Sequence, residues 1–395
     1  MLVILTLISL SGFFLSKYFR LGPFNPFTLY FGVWSAIFVA YAFFQHTYRP
    51  ISEEYLFIQI CVQLIALFMM VCTRPFKPGF MPNAPQYQLN KKIFTIIQLA
   101  LIAALPTFYQ MVVDYAGESI FTSSGYTRLR YVFNNEGKDM GKLGYLYTLA
   151  FLSASVGVYY AAKKELNKWQ AMLAVLLALI YAYLTTGRTF FLMIFIFTVT
   201  PLAMMGKIRL KTLAVLSSVL LGMFFLVAAL TSKGASADAS LSENAASFIE
   251  SAHSYFIAPF VALSMITDEL KTLAFGDYSL RFILSILSAF GLTDPPGPIV
   301  KGYQFTPAPT NLYTVYEVYV RDFYVFGFFI PLIFLPIHWI LYKQARKTND
   351  FCMIIYAISL YPLLTQMLQD QYMTLISTWI QMFLGCLLLI SRKRT

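Results

Sequence analysis

Long apolar runs divided by short polar punctuation dominate this chain. Runs of about 17–20 residues recur at roughly 1–17, 26–44, 55–73, 92–113, 144–162, 170–186, 189–205, 212–231, 322–342, 351–369 and 373–390. A hydrocarbon layer about 30 Å thick takes about 20 helical residues, so these segments predict eleven transmembrane helices. The first run, "MLVILTLISLSGFFLSKYFR", has no basic stretch before it and no small-residue cleavage site. It therefore reads as a retained span, not a cleaved leader.

One long stretch breaks this rhythm. Residues 232–321 open polar, "SKGASADASLSEN", and continue "AASFIESAHSYFIAPFVALSMITDEL". Ser240 and Glu243 have capping-box spacing for a helix start, and Pro259 predicts a kink. A second apolar piece runs from Tyr278 to Leu292. Both pieces are too short for ordinary spans and suit interfacial or re-entrant helices. Prolines and glycines up to Pro309 argue against helix there; a helix from near Thr310 into the span at Asp322 is expected. The reading is thus an all-α polytopic protein in three parts. Residues 1–231 hold about eight spans and a loop at 114–143, 232–321 form a large helical loop, and 322–395 hold about three spans and a basic tail.

Composition agrees with the pattern. Of 395 residues, 58% are hydrophobic and 12% charged, against roughly 25% charged in soluble domains; mean hydropathy is +0.66. The net charge of +11 is unevenly divided. Connections on one side of the predicted spans carry 18 basic residues, among them Lys163, Lys164, Lys168, Lys207, Arg209, Lys211, Lys393 and Arg394, against only Glu165 and Asp350. The other side holds the remaining 11 basic residues and 16 acids. The positive-inside rule puts the first set in the cytoplasm, so the basicity is a topology signal and implies no nucleic-acid partner. The N-terminus, the loops 114–143 and 232–321 and the turn at Gly187–Arg188 then face outward. The four cysteines, Cys61, Cys72, Cys352 and Cys386, all fall in or at the ends of apolar runs, which argues against a disulfide framework or zinc site. No HExxH, Walker or GxGxxG motif is present, and no cofactor is implied.

The candidate chemistry gathers on the outward side. Apart from His338, ionisable residues are missing from the middles of the predicted spans, where ion-coupled transporters usually keep them. Arg128 and Arg130 lie in "SSGYTRLRYVF", Arg188 in "TTGRT", Arg281 in "GDYSLRFIL" and Arg321 in "YVRDF". Guanidinium binds phosphate oxygens in bidentate fashion and keeps its charge in a partly dry site, so a lipid pyrophosphate fits such a cluster. Plainer readings stand beside each. Arg188 can anchor a helix end, Arg321 can pair with Glu317 one turn earlier, and Asp322 can cap the next span. His253, Glu317, Asp322 and Asp277 are candidates for a general base. Asn311 and Tyr313 offer sugar contacts or turn chemistry.

The "TTGRTFFLMIF" turn and the later "PTNLYTVYEVYVRDFYVFGFF" segment, with "GDYSLRFIL" between them, resemble the oligosaccharide repeat-unit polymerases of bacterial surface polysaccharides, the O-antigen polymerase (Wzy) family. The family's late motif reads closer to "DFG", where this chain has "RDFYVFG". The resemblance implies a GT-C-like helical glycosyltransferase of the bacterial inner membrane, active on the periplasmic side without metal or cofactor. Its substrates would be undecaprenyl-pyrophosphate-linked glycans. Its surroundings would be membrane lipid, with a chain-length regulator and a flippase of the same pathway as partners. Arg188, Arg281, Arg321 and Arg128 are then expected to hold pyrophosphate, Asn311 and Tyr313 to contact glycan, and Glu317, Asp322 or His253 to act as base. An O-antigen ligase-like enzyme shares this chemistry. A lipid-linked oligosaccharide flippase or a non-catalytic scaffold are alternatives of different class.

Overall fold

The structure is a computed structural model and describes residues 1–73, 87–136, 138, 140–230, 255–270, 272–297, 302–307, 309–347 and 349–392. The expected features at Ser240, Glu243 and His253, and the basic residues Lys393 and Arg394, lie outside these residues.

The protein is mostly helical. Its helices are α1 (Leu2–Tyr18), α2 (Pro26–Phe44), α3 (Glu53–Thr73), α4 (Lys91–Ala116), α5 (Ser123–Asn135), α6 (Gly144–Ala162), α7 (Lys168–Leu184), α8 (Arg188–Met204) and α9 (Leu210–Leu230). These are followed by α10 (Ala258–Glu269), α11 (Arg281–Ala289), α12 (Glu317–Phe323), α13 (Phe334–Ala345), α14 (Asp350–Leu364) and α15 (Ile376–Leu389). Local sequence sets the boundaries. Asn25, Asn90, Thr122 and Asn167 each cap a helix by accepting a backbone N–H. Pro26 follows Asn25 at a position that needs no N–H, and Gly117 ends α4 in the left-handed conformation. Tyr255 and Phe256 are helical, the chain turns at Ile257, and α10 starts at Ala258 with Pro259 in its first turn; the helix that this proline was expected to kink lies largely outside the described residues.

Among the described residues five helical stretches are long and apolar enough to cross a bilayer: Pro26–Thr47, Glu53–Thr73, Lys91–Ala116, Gly141–Ala162 and Glu317–Ala345. This fits an all-α membrane protein. Shorter apolar helices fall within or overlap the other predicted spans, and those at Leu2–Tyr18, Lys168–Leu184 and Arg188–Met204 reach 17 residues each.

The chain forms two compact units that interleave along the sequence. One comprises residues 1–79, 228–343 and 359–376, the other 80–227, 344–358 and 377–395. In the first, α1 packs on α2 and α3. The Ser9 and Ser35 hydroxyls bond across α1 and α2 at 3.0 Å. Gly12 admits the Phe31 ring, which a Cβ would meet at 2.5 Å. The last of the long helical stretches corrects the helix expected from near Thr310 into the span at Asp322, for Pro309–Thr310 is a short strand. It begins at Glu317, turns at Tyr324 with φ 49°, and continues as a 3₁₀ helix, Tyr324–Ile333, before α13. Gly327 lies against the Tyr319 carbonyl, where a Cβ would stand 2.2 Å away. The helix expected over 351–369 stops at Leu364. Asp370 organises the chain beyond it, accepting from the backbone N–H groups of Tyr372, Met373 and Thr374 and from the Thr374 and Tyr319 hydroxyls.

In the second unit, α6 packs on α7 and α8, and α4 on α5, α6 and α7. Small buried residues on α6, Ala150, Ser153, Ala154, Ser155 and Gly157, allow close approach. Polar bonds tie the helices together: Ser155 donates to the Phe197 carbonyl at 2.8 Å, Tyr181 to that of Leu101 at 2.8 Å, and the Gln98 amide to that of Gln170 at 2.7 Å. At one end of α6, Asp350 accepts from Tyr159 at 2.6 Å and pairs with Lys163 at 2.6 Å. A short antiparallel ribbon joins Tyr87–Leu89 to Ile390–Arg392.

Candidate functional site

The second unit holds the turn that the sequence singles out. Helix α7 ends at Leu184. The Thr185 hydroxyl donates back to the Ala182 carbonyl, and Thr186 takes φ 54°, a left-handed conformation uncommon for a β-branched residue. Gly187 precedes α8, and a Cβ there would stand 2.5 Å from the Phe190 ring. Arg188, half-buried, is the first residue of α8. This turn borders a pocket of about 330 Å³ lined by Phe133, Met140, Gly141, Gly144, Tyr147, Thr185 and Phe190. The pocket is therefore shared between the α7–α8 turn and the segment connecting α5 to α6.

Helix α5 brings a second arginine into the neighbourhood. Tyr126 stacks on Tyr183 at 5.3 Å between ring centroids. Burial and then Tyr183 raise its pKa, while the charges of Arg130 and Arg188 oppose the rise. Both guanidinium groups thus act on one phenol. Arg128, two residues from Arg130, falls on the other side of the helix because two residues turn about 200°. It pairs with Glu136 at 2.8 Å and lies 5.3 Å from the Tyr131 ring, well exposed. Of the two arginines in "TRLRY", Arg130 is the one whose charge, with that of Arg188, reaches Tyr126. Arg188 at the amino end of a 17-residue helix, on the turn that borders the pocket, makes an environment suited to an anion.

The first unit holds the other candidates. Glu317 is fully buried at the start of α12, and Arg321 donates to its carboxylate at 2.7 Å one turn later. The Arg321 guanidinium lies 5.3 Å from the Tyr278 ring and 5.9 Å from the Tyr313 ring, so cation–π attraction adds to the ion pair. Tyr313 donates to the Gly302 carbonyl at 2.7 Å. Burial and then the Glu317 charge raise its pKa to about 12, against an opposing effect of Arg321.

Asp322 does not cap the span it precedes. Its oxygens accept from the Tyr278 and Ser279 N–H groups at 3.1 and 2.7 Å and from the Ser279 hydroxyl at 2.6 Å. Together with the Ala274 N–H, which donates to the Arg321 carbonyl at 3.1 Å, these bonds dock the "AFGDYS" turn onto α12. Arg281 starts α11 immediately after this turn and donates to the Gly297 carbonyl. Asp277 is exposed, and Asn311 is half-buried in the non-helical stretch before α12.

Glu317, Arg321, Asp322 and Tyr313 are therefore brought together with Tyr278, while Arg188 and Arg130 form a separate group in the other unit. Asp370, outside the candidates drawn from the sequence, carries the same signal as Arg188, one charge between two apolar runs. It is 1% exposed, and burial raises its pKa against the lowering effect of the bonds it accepts. Among the described residues no three histidine, cysteine or carboxylate side chains gather as a metal site. Comparison with protein-family models, curated proteins and solved structures gave no match.

Proposed function

We propose that the chain is a glycosyltransferase of the bacterial inner membrane. It would polymerise undecaprenyl-pyrophosphate-linked oligosaccharide repeat units into a surface polysaccharide at the periplasmic face. The observation that carries this reading is the pocket at the Thr185–Arg188 turn, with Arg188 and Arg130 acting on one tyrosine and the amino end of α8 beside it. In such a transfer the bond from the donor's anomeric carbon to the pyrophosphate oxygen breaks. A new bond forms to a hydroxyl oxygen of the acceptor unit, and that hydroxyl's proton passes to a base. Negative charge grows on the departing diphosphate, and pre-placed guanidinium groups stabilise it without reorganising. Glu317, which accepts from Arg321 in the first unit, stays the candidate base of the resemblance. Asp322 holds the neighbouring turn.

Purified protein incubated with a defined undecaprenyl-pyrophosphate-linked repeat unit tests the reading. Wild type is expected to release polymer and undecaprenyl pyrophosphate. Arg188→Ala is expected to abolish polymer while remaining folded in the membrane. Normal chain lengths from Arg188→Ala would reject the site, and transfer of one finished glycan to a lipid A core acceptor would reassign the enzyme as a ligase.

A second reading rests on a different observation. The first unit buries a polar network that includes the Trp34 indole donating to Gln366 at 2.7 Å, and His338 between Ser359 and Tyr372, each at 3.0 Å. Polar residues lining helix interiors beside broken helices are also the hallmark of transporters. Movement of the same lipid-linked unit across a proteoliposome bilayer, without chain growth, would favour a flippase.

A further inference from the structure

Helix α3 is apolar over most of its length, yet Tyr55, Gln59 and Gln63 recur at every fourth position and so share one face. All three are 0% exposed. This face meets Tyr30 of α2 and Tyr316, which ends the non-helical stretch before α12. The Gln63 amide donates to the Tyr30 hydroxyl at 3.1 Å, and the Tyr30 and Tyr316 hydroxyls lie 3.5 Å apart. Trp34 stacks near Tyr316 at 5.3 Å.

The seam is not saturated. Among the described residues neither the oxygen nor the nitrogen of the Gln59 amide has a hydrogen-bond partner, nor do the Gln63 oxygen, the Tyr55 hydroxyl and the Thr314 hydroxyl, the last on the same non-helical stretch as Tyr316. The Tyr55 hydroxyl approaches Gln59 without reaching good hydrogen-bond geometry. Buried amides and hydroxyls are almost always partnered by protein, water or ligand. Several unpartnered at one place on one helix face point to a partner that is not protein.

The chemistry of that partner can be read from the groups. Both acceptors and donors remain, the side chains of the seam are themselves neutral, and the Asp268 charge that acts on Tyr55 is negative. A diphosphate or carboxylate would find no cation on it. A metal ion would find the Gln59 N–H₂, a donor, beside its oxygens. A hydroxyl group, which both donates and accepts, matches all of them. We infer that the Tyr55–Gln59–Gln63 seam is a hydroxyl-binding site, taking either ordered water or the hydroxyls of a neutral sugar. The inference is independent of the polymerase reading, since it needs neither Arg188 nor any catalytic step.

Radiolytic footprinting of the full-length, detergent-purified protein tests it. Hydroxyl radicals formed at bound water or at solvent label only adjacent side chains. Tyr181 is fully buried and bonded to the Leu101 carbonyl, and serves as the dry control. Labelling of Tyr30, Tyr55 and Tyr316 at least several-fold above Tyr181 is expected. If added maltotriose lowers that labelling, the hydroxyls are those of sugar. If it does not, they are those of water. Labelling no greater than at Tyr181 overturns the inference, as does a Gln59→Leu/Gln63→Leu variant that is labelled like wild type. That variant keeps side-chain size and loses the polar seam, and its folding is checked by its gel-filtration profile.

Discussion

Replacing Asp322 separates a structural carboxylate from a chemical one. Asp322 accepts three hydrogen bonds, at 2.6–3.1 Å, from residues 278 and 279. It is itself 0% exposed, and Ser279 is 4% exposed. A hydrogen bond to a charged group is worth about 1.5–3 kcal/mol, and a buried donor left unpaired costs about 1–3 kcal/mol. Since the three bonds share one carboxylate, their loss does not add fully. Asp322→Ala should therefore destabilise by about 3–5 kcal/mol. Asp322→Asn keeps one accepting oxygen and turns an amide toward the remaining donors, for a loss of about 2–3 kcal/mol. Ser279→Ala removes one bond and leaves the two N–H contacts, for about 1 kcal/mol. Apparent melting of the detergent-purified proteins is expected to follow that order, with Asp322→Ala lower by about 5–10 °C. Limited proteolysis should cut the 272–280 turn first. Adding Ser279→Ala to Asp322→Ala should cost little more. The reasoning is refuted if Asp322→Asn melts like wild type while chain growth stops, for the carboxylate would then act on substrate and not on the turn.

Arg188→Lys keeps a charge but not the planar fork, and polymer yield is expected to fall at least tenfold in the purified assay. Glu317→Gln leaves Arg321 facing a neutral amide in a buried site; it should lower melting and, if Glu317 is the base, remove activity beyond the loss of folded protein. Gly187→Ala puts a methyl 2.5 Å from the Phe190 ring, which lines the pocket, so activity should drop more than stability, read as kcat against melting temperature. Burial alone would lower the pKa of Lys163, but the hydrogen bonds and charges of Asp350 and Glu165 raise it above its ordinary 10.5. A raised folded-state pKa stabilises fully below the ordinary value and is lost as pH rises through the higher one. Melting should thus decline above about pH 10.5, and that alkaline decline should shrink in Asp350→Asn.

The turn at Arg188 was legible because it is local. Two apolar runs with only Gly187 and Arg188 between them leave room only for a tight connection, whatever packs around it. Which arginine of "TRLRY" joins it was not legible from motif spacing, since the choice depends on how α5 is rotated against Tyr183. The roles of Asp322 and Asp370 were hidden for the same reason. Asp322 finds donors 43 and 44 residues away, and Asp370 finds the Tyr319 hydroxyl 51 residues away.

By itself the sequence determined the quantities that add up along a segment: apolar length, helical period, cap residues and the punctuation between runs. These dictate helices built for a bilayer, because in hydrocarbon each backbone polar group must be bonded within its own segment. Only the tertiary structure decided where helices break beside Asp370 and Tyr324, and which buried charge is bound to backbone and which to another charge. A buried polar group takes the partner that geometry brings to it, and that partner is set by packing between distant segments, which no local pattern records.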